Sequence, residues 1–164
     1  MPTPAHIQRL VASELAAALS AHTWTTAIPA VAAAFRRVPD YQLEDLGSLK
    51  VSVVPGPIGV NGNDQGQPRG SDFFEVGVGI VLARHVGSDQ EIADLEDLNM
   101  AIVDAIRSYH VTLAELPYAD WTDISIPTPY DREALTERNV FLSQIEVMWM
   151  VPQDKLAAPE PPAP

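Results

Sequence analysis

Residues 49–55 (LKVSVVP) and 73–86 (FFEVGVGIVLARHV) decide the fold, because both follow the period of two that marks a half-buried strand. In the first run Leu49, Val51 and Val53 share one face, with Lys50, Ser52 and Val54 on the other. In the second, Phe74, Val76, Val78 and Ile80 continue the apolar side. Gly77 and Gly79 fall on the alternate face, where the missing side chains are expected to admit another backbone or a helix. Between the runs stand residues 56–72 (GPIGVNGNDQGQPRGSD), polar and glycine-rich. Hairpin loops in compact domains take about two to five residues, so this one is expected to be a functional loop or an arm that orders on a partner. Gly59, Asn61, Asn63, Asp64, Gln67 and Arg69 are its candidate contact residues.

Working outward, Ile7, Leu10, Val11, Leu15, Ala18 and Leu19 recur at spacings of three and four, which predicts a helix from Pro4, or its neighbour Thr3, to about Ala21. Pro29 opposes a continuation, and a strand is expected near residues 33–38. Residues 39–48 form a connector with Gly47 as its turn residue. A second helix begins at the capping box Ser88-Asp-Gln-Glu91 and buries Ile92, Leu95, Leu98, Asn99, Ile102, Val103 and Ile106. Its exposed side carries Asp94, Glu96, Asp97 and Asp104. A short strand is expected over residues 121–126, stopped by Pro127 and Pro129.

Residues 140–151 (VFLSQIEVMWMV) predict a closing strand with Phe141, Ile145, Val147, Trp149 and Val151 on one face. Trp149 suits a core, with a subunit interface as the alternative; Met148 and Met150, on the opposite face, would meet a helix or a neighbouring subunit. The expected organisation is one α+β domain over residues 1–151: a mostly antiparallel sheet, two main helices packed against it, and a long hairpin loop. Residues 152–164 read as a flexible proline-rich tail.

Composition narrows the function. A chain of 164 residues is one domain's length. With 22 acidic and 10 basic residues the formal charge is −12, which repels nucleic acid unless basic residues are segregated, and Arg36-Arg37 is the only adjacent basic pair. A negative surface suits a conduit through which DNA slides, and equally serves solubility. Zero cysteines exclude disulfides and a thiol nucleophile. No apolar run approaches the roughly twenty residues of a membrane span, and MPTPAHIQRL lacks the pattern of a signal peptide, so synthesis and retention in the cytoplasm are expected.

No constellation nominates a reaction. The histidines at 6, 22, 85 and 110 have no metal-site spacing. Residues 61–72 echo a calcium loop but offer Asn61 first and Gln65 fifth, with Pro68 inside, so too few charged oxygens are supplied. Gly59, Gly62, Gly66 and Gly70 lack the Gly-Lys-Ser/Thr ending of a phosphate loop. No catalytic, cofactor or metal residue is assigned, and the chain is expected not to be an enzyme.

Residues 37–56 (RVPDYQLEDLGSLKVSVVPG), then residues 72–86, an acidic amphipathic helix and Trp121 before a closing strand, resemble a family of small tailed-phage and prophage structural proteins. The resemblance runs from the first helix to about Val151, and Leu-Glu-Asp-Leu before Leu-Lys-Val-Ser-Val-Val-Pro is its most recognisable part. The chain is similar to the tail-terminator and tail-completion group, and departs from it in Ala30–Ala34 and the proline-rich extension. The resemblance implies a virion protein made in the host cytoplasm, forming a hexameric ring at the head-proximal end of the tail. There it would end growth of the tail tube and meet the head–tail connector, with DNA passing through the lumen unbound by sequence. The alternatives are a portal-side head-completion or adaptor protein and, from another class, a small cytoplasmic enzyme or ligand-binding domain.

Overall fold

The fold comes from a computed structural model, which describes residues 3–39, 46–61 and 73–152. Helix α1 (Pro4–Ala21) starts where Thr3 accepts the His6 amide on its hydroxyl (3.2 Å), with proline in the first turn, where no amide partner is needed. Helix α2 (Asp89–Arg107) starts at Ser88, whose hydroxyl accepts the Glu91 amide. The reciprocal half of this capping box is displaced by one residue, because the Glu91 carboxylate accepts the Gly87 amide at 2.8 Å. A third, short helix, α3 (Arg132–Arg138), is capped by Asp131 and ended by Asn139 in the left-handed conformation.

Five strands form one sheet in the order β1-β2-β3-β5-β4: β1 (Ala33–Phe35), β2 (Lys50–Asn61), β3 (Phe73–His85), β4 (Asp120–Thr128) and β5 (Val140–Pro152). Only β1 and β2 run parallel; the other neighbours are antiparallel. The fold is therefore α+β with a mixed, mostly antiparallel sheet.

Both long helices lie on one side. Ile7, Val11, Leu15 and Leu19 of α1 and Leu98, Ile102 and Ile106 of α2 share a core with Val53, Val76, Val78, Ile80, Leu82, Ile145, Val147 and Trp149. Strand alternation explains this set: Ile80 pairs with Val53 on one side and Ile145 on the other, so their side chains line up on one face. A buried polar pair ties helix to sheet, with the Ser143 hydroxyl donating to Asn99 Oδ1 at 3.1 Å. The opposite face carries no long helix among the described residues. Its end is closed by Leu46, which joins Ala83 and Val140, and by Ala134 of α3.

Four expectations are corrected. Strand β2 does not stop at Pro55: it bends at a register shift between Pro55 and Ile58 and continues to Asn61, so residues 56–61 are strand and the connection is residues 62–72. β1 is shorter than residues 33–38. β4 runs to Thr128 with Pro127 inside it, which a central strand would not allow; β4 is at the edge, and its register shifts between Ser125 and Thr128. Helix α3 had no amphipathic stripe to announce it, since none of its side chains is fully buried.

Candidate functional site

The bend in β2 is held by a side chain from α1. Pro57 has no amide hydrogen to offer the ladder, and here Gln8, itself buried, donates from Nε2 to the carbonyls of Gly56 (2.7 Å) and Gly77 (2.8 Å). The backbones approach so closely that a Cβ on Gly56 would stand 3.0 Å from the Gly77 carbonyl carbon. The bend thus depends on one glycine facing another and on a donor from a different element.

On the face without a long helix, the register lines Gly59, Glu75, Met150 and Asp120 across four strands. The next rung sets Gly77 beside Met148 and Asp123. Gly59, Met148 and Met150, far apart in sequence, are therefore brought onto one surface. Both methionines are half-buried. The glycines do not leave an open groove there. The Met148 sulfur and Pro57 Cδ occupy the space over Gly77, at 2.9 and 2.8 Å from where its Cβ would be, and Val54 and Gln144 lean over Gly79. At Gly77 the expected close approach of another backbone is made by the bend of β2, whose Pro57 carbonyl oxygen would stand 2.9 Å from a Cβ there, whereas at Gly79 side chains of the same sheet fill the space.

Asn61 lies in β2 opposite Phe73, not in a loop. Asn63, Asp64, Gln67 and Arg69 lie outside the described residues, as does most of the calcium-like stretch. Both sheet edges are blunted: β2 carries Pro55 and Pro57 beyond the reach of β1, and β4 carries Asp123, Pro127 and two register shifts. Trp149 is a core residue, 3% exposed, though its indole nitrogen finds no hydrogen-bond partner. Leaving such a donor unpaired costs about 1–3 kcal/mol, offset here by the burial of the ring.

Two surface hollows had no signal in the sequence, because the segment after α2 follows no period. One, of about 570 Å³, lies between α1 and residues 110–114 and is lined by Glu14, Ala18, His22 and His110. The Glu14 carboxylate accepts the Glu115 amide at 3.2 Å. The other, of about 480 Å³, is lined by Tyr109, Leu113, Leu116, Pro117, Tyr118 and Asp120. Tyr109 has a φ of 59°, in the left-handed region, because the chain reverses at the end of α2: the Ser108 amide bonds Asp104 and those of His110 and Val111 both bond Ala105. Its hydroxyl donates to Asp120 Oδ1 (3.1 Å), and that bond, then burial and the negative charge of Asp120, raise the Tyr109 pKa above the ordinary tyrosine value. Its ring lies 6.5 Å from that of Trp121.

Among the described residues no three His, Cys, Asp or Glu side chains are grouped to hold a metal ion. No helix among them is long and apolar enough to cross a membrane. No family model matches the chain, and no curated protein matches it.

Proposed function

We propose that this chain is a structural subunit of a tailed-phage neck, forming a ring at the head-proximal end of the tail that ends tube growth and joins the tail to the head connector. The observation that supports it is the one-sided sheet: both long helices cover one face, and the other presents Met148, Met150 and Gly59 with no long helix over them among the described residues. Methionine is adaptable at contact surfaces, and a repeated head-to-tail contact closes a ring. The prolines on both sheet edges disfavour continuous strand addition, so the contacts assigned to neighbours are this face and the long connection, residues 62–72. The tail tube and the head connector are the partners at the ring's two ends, and the charge of −12 keeps passing DNA from adhering.

Light scattering coupled to size-exclusion chromatography, with electron microscopy of the same fractions, tests this. A six-subunit ring is expected, about 107 kDa from a subunit of 17.8 kDa. A twelve-subunit ring would move the assignment to a portal-side adaptor. A chain that stays monomeric and also fails to bind purified tails would overturn it. Deleting residues 62–70 should leave a folded subunit that no longer joins the tail; unchanged assembly would remove that connection from the interface.

A further inference from the structure

We infer that the hollow between α1 and residues 110–114 is a binding site for a primary alkylammonium group, supplied by the lysine side chain of a protein partner or by a free amine. The inference goes beyond the neck assignment and does not depend on it. The hollow has a volume of about 570 Å³. Ala17, Ala18 and Ala21 of α1 and Ala114 of the other segment give it short apolar walls, which suit an unbranched methylene stem. Glu14, His22 and His110 supply its ionisable groups, and among the described residues no lysine or arginine lines it.

The directions of the hydrogen bonds make these groups acceptors. Ser108 has a single hydroxyl hydrogen and gives it to the Asp104 carbonyl, so towards His110 its oxygen can only accept. The 3.2 Å bond between them is therefore donated by His110 Nδ1, which places the proton of the neutral ring there and leaves Nε2 as a bare acceptor. Glu14 uses Oε2 to accept the Glu115 amide and keeps Oε1, with no ion pair to a cation among the described residues. His22, at the C-cap of α1 with its ring 4.4 Å from that of Trp24, adds one acceptor nitrogen in its neutral form. An anion entering the hollow would meet the Glu14 carboxylate with no lining cation to offset it. A metal ion lacks a ligand set, since no three His, Cys, Asp or Glu side chains are grouped to hold one among the described residues. An alkylammonium matches the hollow, because it has three hydrogens to give, no lone pair and a charge opposite to that of Glu14.

Titration of the full-length, isotope-labelled protein with n-butylammonium tests this. Amide shifts confined to Ala18, Ala21, Thr112 and Ala114, with Ala34 and Arg132 unmoved, are expected, at a dissociation constant on the order of millimolar for so small a ligand. Butyrate and n-butanol, of similar length, should leave those amides in place. Shifts scattered over the acidic surface, equal shifts with butyrate or butanol, or no shifts at all would overturn the inference. Glu14→Gln removes the charge but keeps an oxygen for the Glu115 amide, so it should melt as the natural chain does and bind butylammonium about tenfold more weakly. His110→Phe should weaken binding about threefold, and nitrogen spectra of the His110 ring should show its proton on Nδ1. Unchanged affinity in either variant, or a proton on Nε2, would overturn the assignment of these acceptors. Comparing N-acetyl-lysine methylamide with 1,4-diaminobutane then separates the two sources: tighter binding of the first supports a protein side chain, and of the second a free amine.

Discussion

The two faces of the sheet reach burial by different routes. On the helix-covered face Val53, Ile80, Ile145 and Val147 are fully buried because α1 and α2 lie over them. On the other, Val54 and Val81 are only 8% and 5% exposed, with no long helix above them among the described residues. Side chains do the covering there: Met148 fills the space over Gly77, and Val54 and Gln144 that over Gly79. A large hydrophobic gain therefore belongs to the first face, and a finely fitted but shallower packing to the second.

Truncation should separate them most clearly. Ile145→Ala, in the middle of the covered core, is expected to lose about 2–5 kcal/mol, and Met148→Ala, half-buried on the other face, about 1 kcal/mol. Urea unfolding of both variants checks this, and equal losses would break the distinction between the faces.

Smaller effects test the fit of the second face and the bend beside it. A Cβ on Gly77 would stand 2.9 Å from the Pro57 carbonyl oxygen, which cannot swing away, so Gly77→Ala should cost about 1–3 kcal/mol. Gly59→Ala meets first the mobile Glu75 carboxylate, at 3.3 Å, and should stay within about 0.5 kcal/mol of the natural chain. Similar melting of the two variants would show that the glycines are interchangeable. Gln8→Leu keeps the apolar contact of α1 but deprives the Gly56 and Gly77 carbonyls of their donor, for an expected loss of about 1–3 kcal/mol. Hydrogen exchange in α1 and β2 should quicken with it, and unchanged exchange would argue against the clamp.

The least effect concerns Tyr109. Its pKa is raised, first by the bond to Asp120, so the stability linked to it is present below the ordinary tyrosine value of about 10 and is lost as pH rises through the higher folded value. Phenolate absorbance should show one tyrosine titrating late, and Asp120→Asn should bring it back towards the ordinary value. No change in the titration on that substitution would rule out the bond.

Much of the fold was legible where its physics is local. Thr3 and Ser88 cap the two long helices as their chemistry predicts, and the period of two in residues 73–85 and 140–151 marks the central strands. The candidate surface was legible in part: alternation puts Met148 and Met150 opposite the core, whatever the neighbours. The role of Gln8 was not, since it reads as the polar side of an amphipathic helix until the bend 48 and 69 residues away is placed against it. Nor was the continuation of β2 beyond Pro55, because two prolines and a glycine read as a break unless a bulge and an outside donor accommodate them.

Spacing along the chain therefore sets which residues can share a helix or strand face, because 3.6-residue and two-residue periods and end caps act within a few residues. Strand order, the side on which both helices pack, the filling of the space over Gly77 and Gly79, and the meeting of Tyr109 with Asp120 arise from contacts between distant segments. Those depend on shape and on the placing of donors in three dimensions, which no local period encodes.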